Sequence, residues 1–132
     1  MAVTSAGILL YRLAEGGAGA ADVLIAHMGG PYWAAKEAGA WSIPKGEYDA
    51  DTETALDAAL REFAEELGVA APAGPYAELG TYAYSSGKRV TVFVADGADF
   101  SLEGLVFGEF ELEWPPRSGR TRSFPEVDRA AW

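Results

Sequence analysis

Apolar residues recur along the chain in two rhythms, and the switch between them divides it into elements. Residues 5–12 (SAGILLYR) and 22–28 (DVLIAHM) are dense in aliphatic side chains, and glycine punctuates residues 13–21 between them. They predict two strands joined by a turn. Residues 29–40 have no clean period, open on turn residues and carry two aromatics, which predicts a surface loop. Trp41-Ser42-Ile43-Pro44 reads as a short edge strand, because proline cannot donate to a ladder. Over residues 54–67 the rhythm changes: Ala55, Leu56, Ala59, Leu60, Phe63, Ala64 and Leu67 fall at steps of three and four. That spacing predicts one amphipathic helix. Gly68 stands where a left-handed residue would end it, and Asp51 or Thr52 is placed to cap its start. Strand patterning returns over 77–84, 89–95, 106–114 and 126–132, with turn signals at 85–88 and 115–120. A mixed sheet with one central helix, an α+β arrangement, is expected.

Composition adds limits to this outline. A chain of 132 residues that is 49% hydrophobic is sized for one core, so residues 1–132 are expected to form a single domain. Ten Lys and Arg residues against twenty Asp and Glu leave a net charge of −10, which argues against extended nucleic-acid binding. A polyphosphate would meet the same repulsion, so an acidic protein handling one needs divalent cations between the two sets of anions. With no cysteine there is no disulfide scaffold, thiol nucleophile or thiolate metal site. The first residues lack the basic flank and apolar stretch of a signal peptide, and no segment approaches the roughly 20 apolar residues that span a bilayer. A cytoplasmic protein without a membrane partner is expected.

Candidate chemistry concentrates around the helix. Glu62, Glu65 and Glu66 stand at i, i+3 and i+4 and so share one helical face. Like charges so placed repel by roughly 0.2–0.5 kcal/mol per exposed pair. Taken alone, such a run is an ordinary solvated face; gathered hard oxygen ligands are also what Mg²⁺ or Mn²⁺ requires. Glu53, near the helix start, reaches Arg61 if the preceding loop folds back. The combination with Gly46 before the helix and Gly68 after it sets this stretch apart from a plain charged face.

The stretch Gly46 to Val69 resembles the signature of the Nudix family, G-x5-E-x7-R-E-U-x-E-E-x-G-U, where U is a bulky apolar residue. From Glu53 onward the match is complete; six residues rather than five separate Gly46 from Glu53. That extra residue puts the Gly46 carbonyl in question and leaves the glutamates untouched. Trp41-Ser42-Ile43-Pro44-Lys45-Gly46-Glu47 also resembles the W-x-[LIF]-P-K-G approach of family members acting on nucleoside and dinucleoside polyphosphates. The resemblance implies a Nudix fold, an α/β/α sandwich whose C-terminal helix is lacking after Trp132. Such a gap points to a shortened chain or to a second subunit on that face, a homodimer.

The resemblance further implies hydrolysis of a diphosphate linkage by water attack on phosphorus, with Mg²⁺ as cofactor and Mn²⁺ as the alternative. The metal ligands it implies are Glu62, Glu65, Glu66 and the Gly46 carbonyl, with Arg61 among the catalytic group. The base is left open between Glu62 or Glu65 and Glu126, the last being equally readable as an ordinary carboxylate at a strand start. For a small-molecule nucleotide or other diphosphate, Lys45 is the first candidate contact; Arg117 and Arg120, with Arg122, form a loop that either clamps phosphate or simply offsets nearby acids. Glu109, Glu111 and Glu113 alternate with Phe110, Leu112 and Trp114 and face away from the core. Tyr32, Trp33, Tyr82 and Tyr84 read first as sheet or core aromatics and second as base-stacking surfaces. His27, without an evident partner, reads as structural. Other diphosphates (ADP-ribose, diphosphoinositol phosphates, capped nucleotides) and a non-catalytic nucleotide-binding module are the alternative functions.

Overall fold

The computed structural model describes residues 4–13, 20–36, 40–84 and 86–132. Ten strands and one helix occur among them: β1 (Thr4–Leu13), β2 (Ala21–Val23), β3 (Ile25–Met28), β4 (Trp41–Ser42), β5 (Lys45–Glu47), α1 (Ala55–Leu67), β6 (Ala77–Ala83), β7 (Arg89–Asp96), β8 (Glu109–Glu113), β9 (Thr121–Pro125) and β10 (Val127–Ala131). The largest sheet runs β2-β1-β7-β6 with β5 also on β1; β10-β3-β4 form a second sheet and β8-β9 a hairpin. Only the β1–β7 pair is parallel among these, so the arrangement is mixed α+β as expected.

The core forms where α1 meets β1. Ala6, Ile8 and Leu10 alternate on one face of β1 and pack with Ala58, Ala59, Phe63 and Leu67 of the helix, joined by Phe93, Ala95, Leu24, Ala26 and Val127. The helical three-and-four spacing thus delivers most of the stripe it predicted, with Ala58 added to it and Ala64 outside the cluster. The Thr54 side chain accepts from the Asp57 N–H at 3.2 Å, so Thr54 is the cap, not Asp51 or Thr52. Those two belong to the turn before it, where Thr52 and Glu53 N–H groups bond the Asp49 carbonyl. At the other end Gly68 has φ 74° and its N–H bonds Ala64 O at 2.8 Å.

Several boundaries differ from those expected. The strand predicted over 22–28 bends at Leu24, which is fully buried and donates to Leu10 O, so β2 serves one sheet and β3 another. Lys45–Glu47 was read only as part of an approach to the helix, yet it pairs with Ser5, Ala6 and Gly7 of β1. A Cβ on Gly7 would lie 2.7 Å from Lys45 Cβ, so glycine permits this close docking. Within the predicted strand 106–114 only Glu109–Glu113 is extended in a ladder, and Val106 and Gly108 instead donate to the last helical carbonyls, Leu67 O and Glu66 O. The loop expected to carry Arg117, Arg120 and Arg122 contains the start of β9. No helix is long and apolar enough to cross a membrane among the described residues.

Candidate active site

β5 brings Lys45 and Gly46 beside the C-terminal half of α1. A Cβ on Gly46 would fall 2.1 Å from the Glu62 carboxyl, so the missing side chain is the seat of that carboxylate. Glu66, one turn on, lies on the same side, consistent with its i+4 spacing. Glu126 joins them from the single-residue break between β9 and β10. Its N–H donates to Gly108 O at 2.7 Å and its carbonyl accepts from Gly29 N–H at 3.0 Å. Its Oε2 would lie 3.3 Å from a Cβ on Gly108, itself pressed against Glu65 O. The three segments enclose a cleft of about 330 Å³ whose lining includes Lys45, Gly46, Glu62, Glu66 and Glu126, with Trp33 and Phe110 as aromatic members. A second hollow of about 200 Å³ adjoins it and shares Lys45, Glu66 and Glu126. A larger hollow of about 560 Å³ lies elsewhere, between residues 70–74 and 96–100, and contains none of these groups.

Arg61 organises the carboxylates from outside the cleft. It forks onto Glu53 with two bonds of 2.9 Å, the fold-back contact that the spacing allowed, and its remaining nitrogen reaches Glu62 at 2.8 Å and Glu65 at 3.3 Å. The hydrogen bonds from Arg61 hold the Glu53 carboxyl below its ordinary range, and Glu53 first, then Glu62, hold the Arg61 proton more tightly than usual. Glu65 stands exposed on this side, so it is not part of the cleft lining with Glu62 and Glu66. In the cleft the balance reverses. Burial, then the Glu62 and Glu126 charges, push Glu66 up to about 8 despite the opposing pull of Lys45. Burial, then Glu62 and Glu65, raise Glu126.

Among the described residues no three His, Cys, Asp or Glu side chains stand close enough together to hold a metal ion. The donor set nonetheless fits a hard divalent cation. It is made of carboxylate oxygens, with Glu66 and Glu126 raised by burial and by neighbouring carboxylate charges, and Lys45 the cation in the lining. Glu62 and Glu66, with Glu65 adjacent, are the residues that would hold such an ion.

Arg117 and Arg120 lie exposed on the turn at the tip of the β8–β9 hairpin and do not line the cleft; Arg122 stacks on Phe124, 5.5 Å from its ring. Glu109, Glu111 and Glu113 are exposed, as their alternation predicts. Tyr82 and Tyr84 are exposed on β6 and just beyond it, and Tyr32 packs edge-on against Trp114 at 5.3 Å. Phe110 was read as a core-facing strand residue, but it reaches the cleft because its ring tip sits over Gly30. No local pattern announces that contact, which joins residues eighty apart. His27 is fully buried with Asp128 as its partner, a pairing likewise invisible in the sequence.

A family model described as NUDIX domain matches residues 3–132. Among solved structures the chain is similar to a MutT/nudix family protein from Enterococcus faecalis, at 17% identity and TM-score 0.64, covering 100% of this chain and 43% of that one. It is similar to the NUDIX domain of Shewanella oneidensis NrtR complexed with ADP ribose, at 15% identity and TM-score 0.57, covering 100% and 72%. It is also similar to a Nudix hydrolase from M. smegmatis, RenU, at 26% identity and TM-score 0.52, covering 92% and 70%. The chain therefore spans less than half the length of the Enterococcus protein. A comparison with curated protein sequences finds no match.

Proposed function

This chain belongs to the Nudix hydrolase family, and from that premise we propose that it hydrolyses a diphosphate linkage in a nucleoside or dinucleoside polyphosphate with Mg²⁺ as cofactor. The observation that carries the reading is the meeting of Glu62, Glu66 and Glu126 with Lys45 in one cleft. Such a set suits a substrate whose negative charge arrives with cations. Trp33 and Phe110 in the same lining favour a substrate with a planar base over a non-aromatic diphosphate.

The roles follow from placement. Glu62 and Glu66, with Glu65, are the ligands; the Gly46 carbonyl is the fourth candidate. The chemistry such an ion supplies when bound is Lewis-acid neutralisation of phosphate oxygens and acidification of water. Glu126 is the proton acceptor: its raised carboxyl holds a proton more readily than an ordinary glutamate, and it lines the same cleft as Glu62 and Glu66. As the water oxygen bonds to phosphorus and the bridging P–O bond breaks, the water proton passes to the Glu126 carboxylate. Lys45 sets a positive charge against the phosphate oxygens. Arg61 keeps Glu62 and Glu65 from moving apart. Arg117 and Arg120, on a projecting turn, are phosphate contacts for a long substrate that extends beyond the cleft.

The test is turnover of a panel of nucleoside polyphosphates, dinucleoside polyphosphates and ADP-ribose with MgCl₂ or MnCl₂, products separated by chromatography. ADP-ribose is included because the Shewanella domain is complexed with it. Mononucleotide or phosphate release is expected, falling at least about a hundredfold in Glu66→Gln and Glu126→Gln. Full activity in a Glu65→Gln/Glu66→Gln double variant would sink the mechanism; metal-dependent binding without product would make the chain a non-catalytic nucleotide-binding module.

A further inference from the structure

His27 occupies a position that an apolar side chain would fill at less expense. It is completely buried, and a buried imidazole is costly unless its polar atoms are bonded. Both are. Nδ1 lies 2.7 Å from Asp128 Oδ1, and Nε2 donates to the Lys36 carbonyl. The ring also meets the Trp41 indole edge-on at 5.0 Å.

The two hydrogen-bond partners belong to two segments that each send a side chain into the cleft lining, Glu126 ahead of β10 and Trp33 in the loop after β3. Asp128 is two residues beyond Glu126, on the strand that Glu126 leads into. Lys36 follows Trp33 in the loop after β3; its N–H bonds Trp33 O at 2.9 Å, and its ammonium lies 5.1 Å from the Trp33 ring centroid. Residues 32–36 are all exposed; Trp33 and Ala34 N–H groups bond Gly30 O and Tyr32 meets Trp114 at the start of this loop, the His27 bond to Lys36 O ties its far end, and its Trp33 side chain lines the cleft. We infer that His27 is a positioning residue: a strut between Asp128 and Lys36 that fixes Trp33 relative to Glu126 in the cleft lining and thereby tunes substrate binding. The inference rests on the reading that this cleft holds the substrate.

His27→Gln can satisfy at most part of both contacts. Its expected signature is a KM raised about tenfold with kcat within about threefold of wild type, because Trp33 binds and does not react. Trp33→Ala should show the same split. The double variant should be no worse than Trp33→Ala alone, as required if one residue acts through the other. Asp128→Asn, whose amide N–H can donate to Nδ1 while Nε2 keeps the Lys36 carbonyl, should stay near wild type. In protein labelled with 5-fluorotryptophan, the ¹⁹F resonance assigned to Trp33 by its loss in Trp33→Phe should shift in His27→Gln, while that of Trp132 stays. Should His27→Gln not fold, Asp128→Ala cuts the other end of the strut and carries the same readouts. An unmoved Trp33 resonance, a KM equal to wild type, or additive effects in the double variant would overturn the inference, whatever the melting temperature. Turnover of no panel compound by the wild type would instead defeat the functional reading, and the Trp33 resonance would then decide the strut by itself.

Discussion

At the scale of single residues the site depends on one absent side chain and one branched one. Adding a methyl at Gly46 places it 2.1 Å from the Glu62 carboxyl, the far end of a flexible side chain that can swing away. Gly46→Ala should therefore leave the melting temperature within a few degrees of wild type while reducing kcat about tenfold or more, a split read by calorimetry and steady-state kinetics. Arg61 presents a contrasting case. Its planar fork contacts Glu53 twice and reaches Glu62 and Glu65 together, which a lysine ammonium on a flexible stem cannot reproduce. Arg61→Lys is expected to lose at least about tenfold in kcat although charge is kept, and equal activity would show that orientation of Glu62 does not matter. These glutamates and Arg61 were legible in the sequence because the contacts among them are local, one helical turn or one fold-back loop apart. Glu126 was legible only through the resemblance, and the intrusion of Phe110 and the His27–Asp128 pair were not legible at all, since each joins segments distant along the chain. Chain spacing carries no information about such meetings.

At the scale of elements, the end of α1 is the joint on which the site turns. A Cβ on Gly68 would lie 1.9 Å from the Val106 carbonyl, a backbone atom, and φ 74° is itself unfavourable by about 1–2 kcal/mol for a residue with a side chain. Gly68→Ala should cost more than that in urea unfolding. It should also lower activity, because the same loop carries Gly108, which bonds Glu66 O and Glu126 N–H. Thr54→Ala is the matched control at the far end of the helix: loss of its bond to Asp57 should cost about 1 kcal/mol and leave kcat and KM unchanged. The helix itself was plain from its period, and so were β1, β6 and β7, whose apolar residues are numerous enough to announce strands. The residues of β5 and β9 announce nothing. Lys45-Gly46-Glu47 becomes a strand because β1 offers it an edge, and the mostly polar Thr121–Pro125 does so because β8 pairs with it. Conversely the apolar run from Val106 to Gly108 looks like a strand and is spent instead on closing the helix. Where the partner rather than the segment dictates the conformation, local propensity misleads.

For the molecule as a whole, the site's charge makes stability depend on pH in a direction opposite to that of its ion pairs. The Glu53 carboxyl, held low by Arg61, contributes stability that is present above the ordinary carboxylate range and fades as pH falls through its lowered value. Glu66, pushed up from 4.5 to about 8, binds its proton more tightly folded than unfolded. Between those two values the native state therefore carries the extra proton, so unfolding becomes easier as pH rises, by at most about 1.4 kcal/mol per unit. Glu126, also raised, adds to the same trend. A net charge of −10 gives a general loss in the same direction through self-repulsion, so the slope of the wild type does not by itself isolate the site. The comparison with Glu66→Gln does. Without added divalent ions, the melting temperature of the wild type should fall by several degrees more than that of the variant between pH 5.5 and 7.5. Millimolar MgCl₂ should remove that excess, because a cation between the carboxylates favours their ionised forms, whereas NaCl of equal ionic strength should reduce the slopes of both proteins alike. Parallel slopes for the two proteins would mean that Glu66 is better solvated than its burial implies. A magnesium effect that survives in Glu66→Gln would place the ion elsewhere.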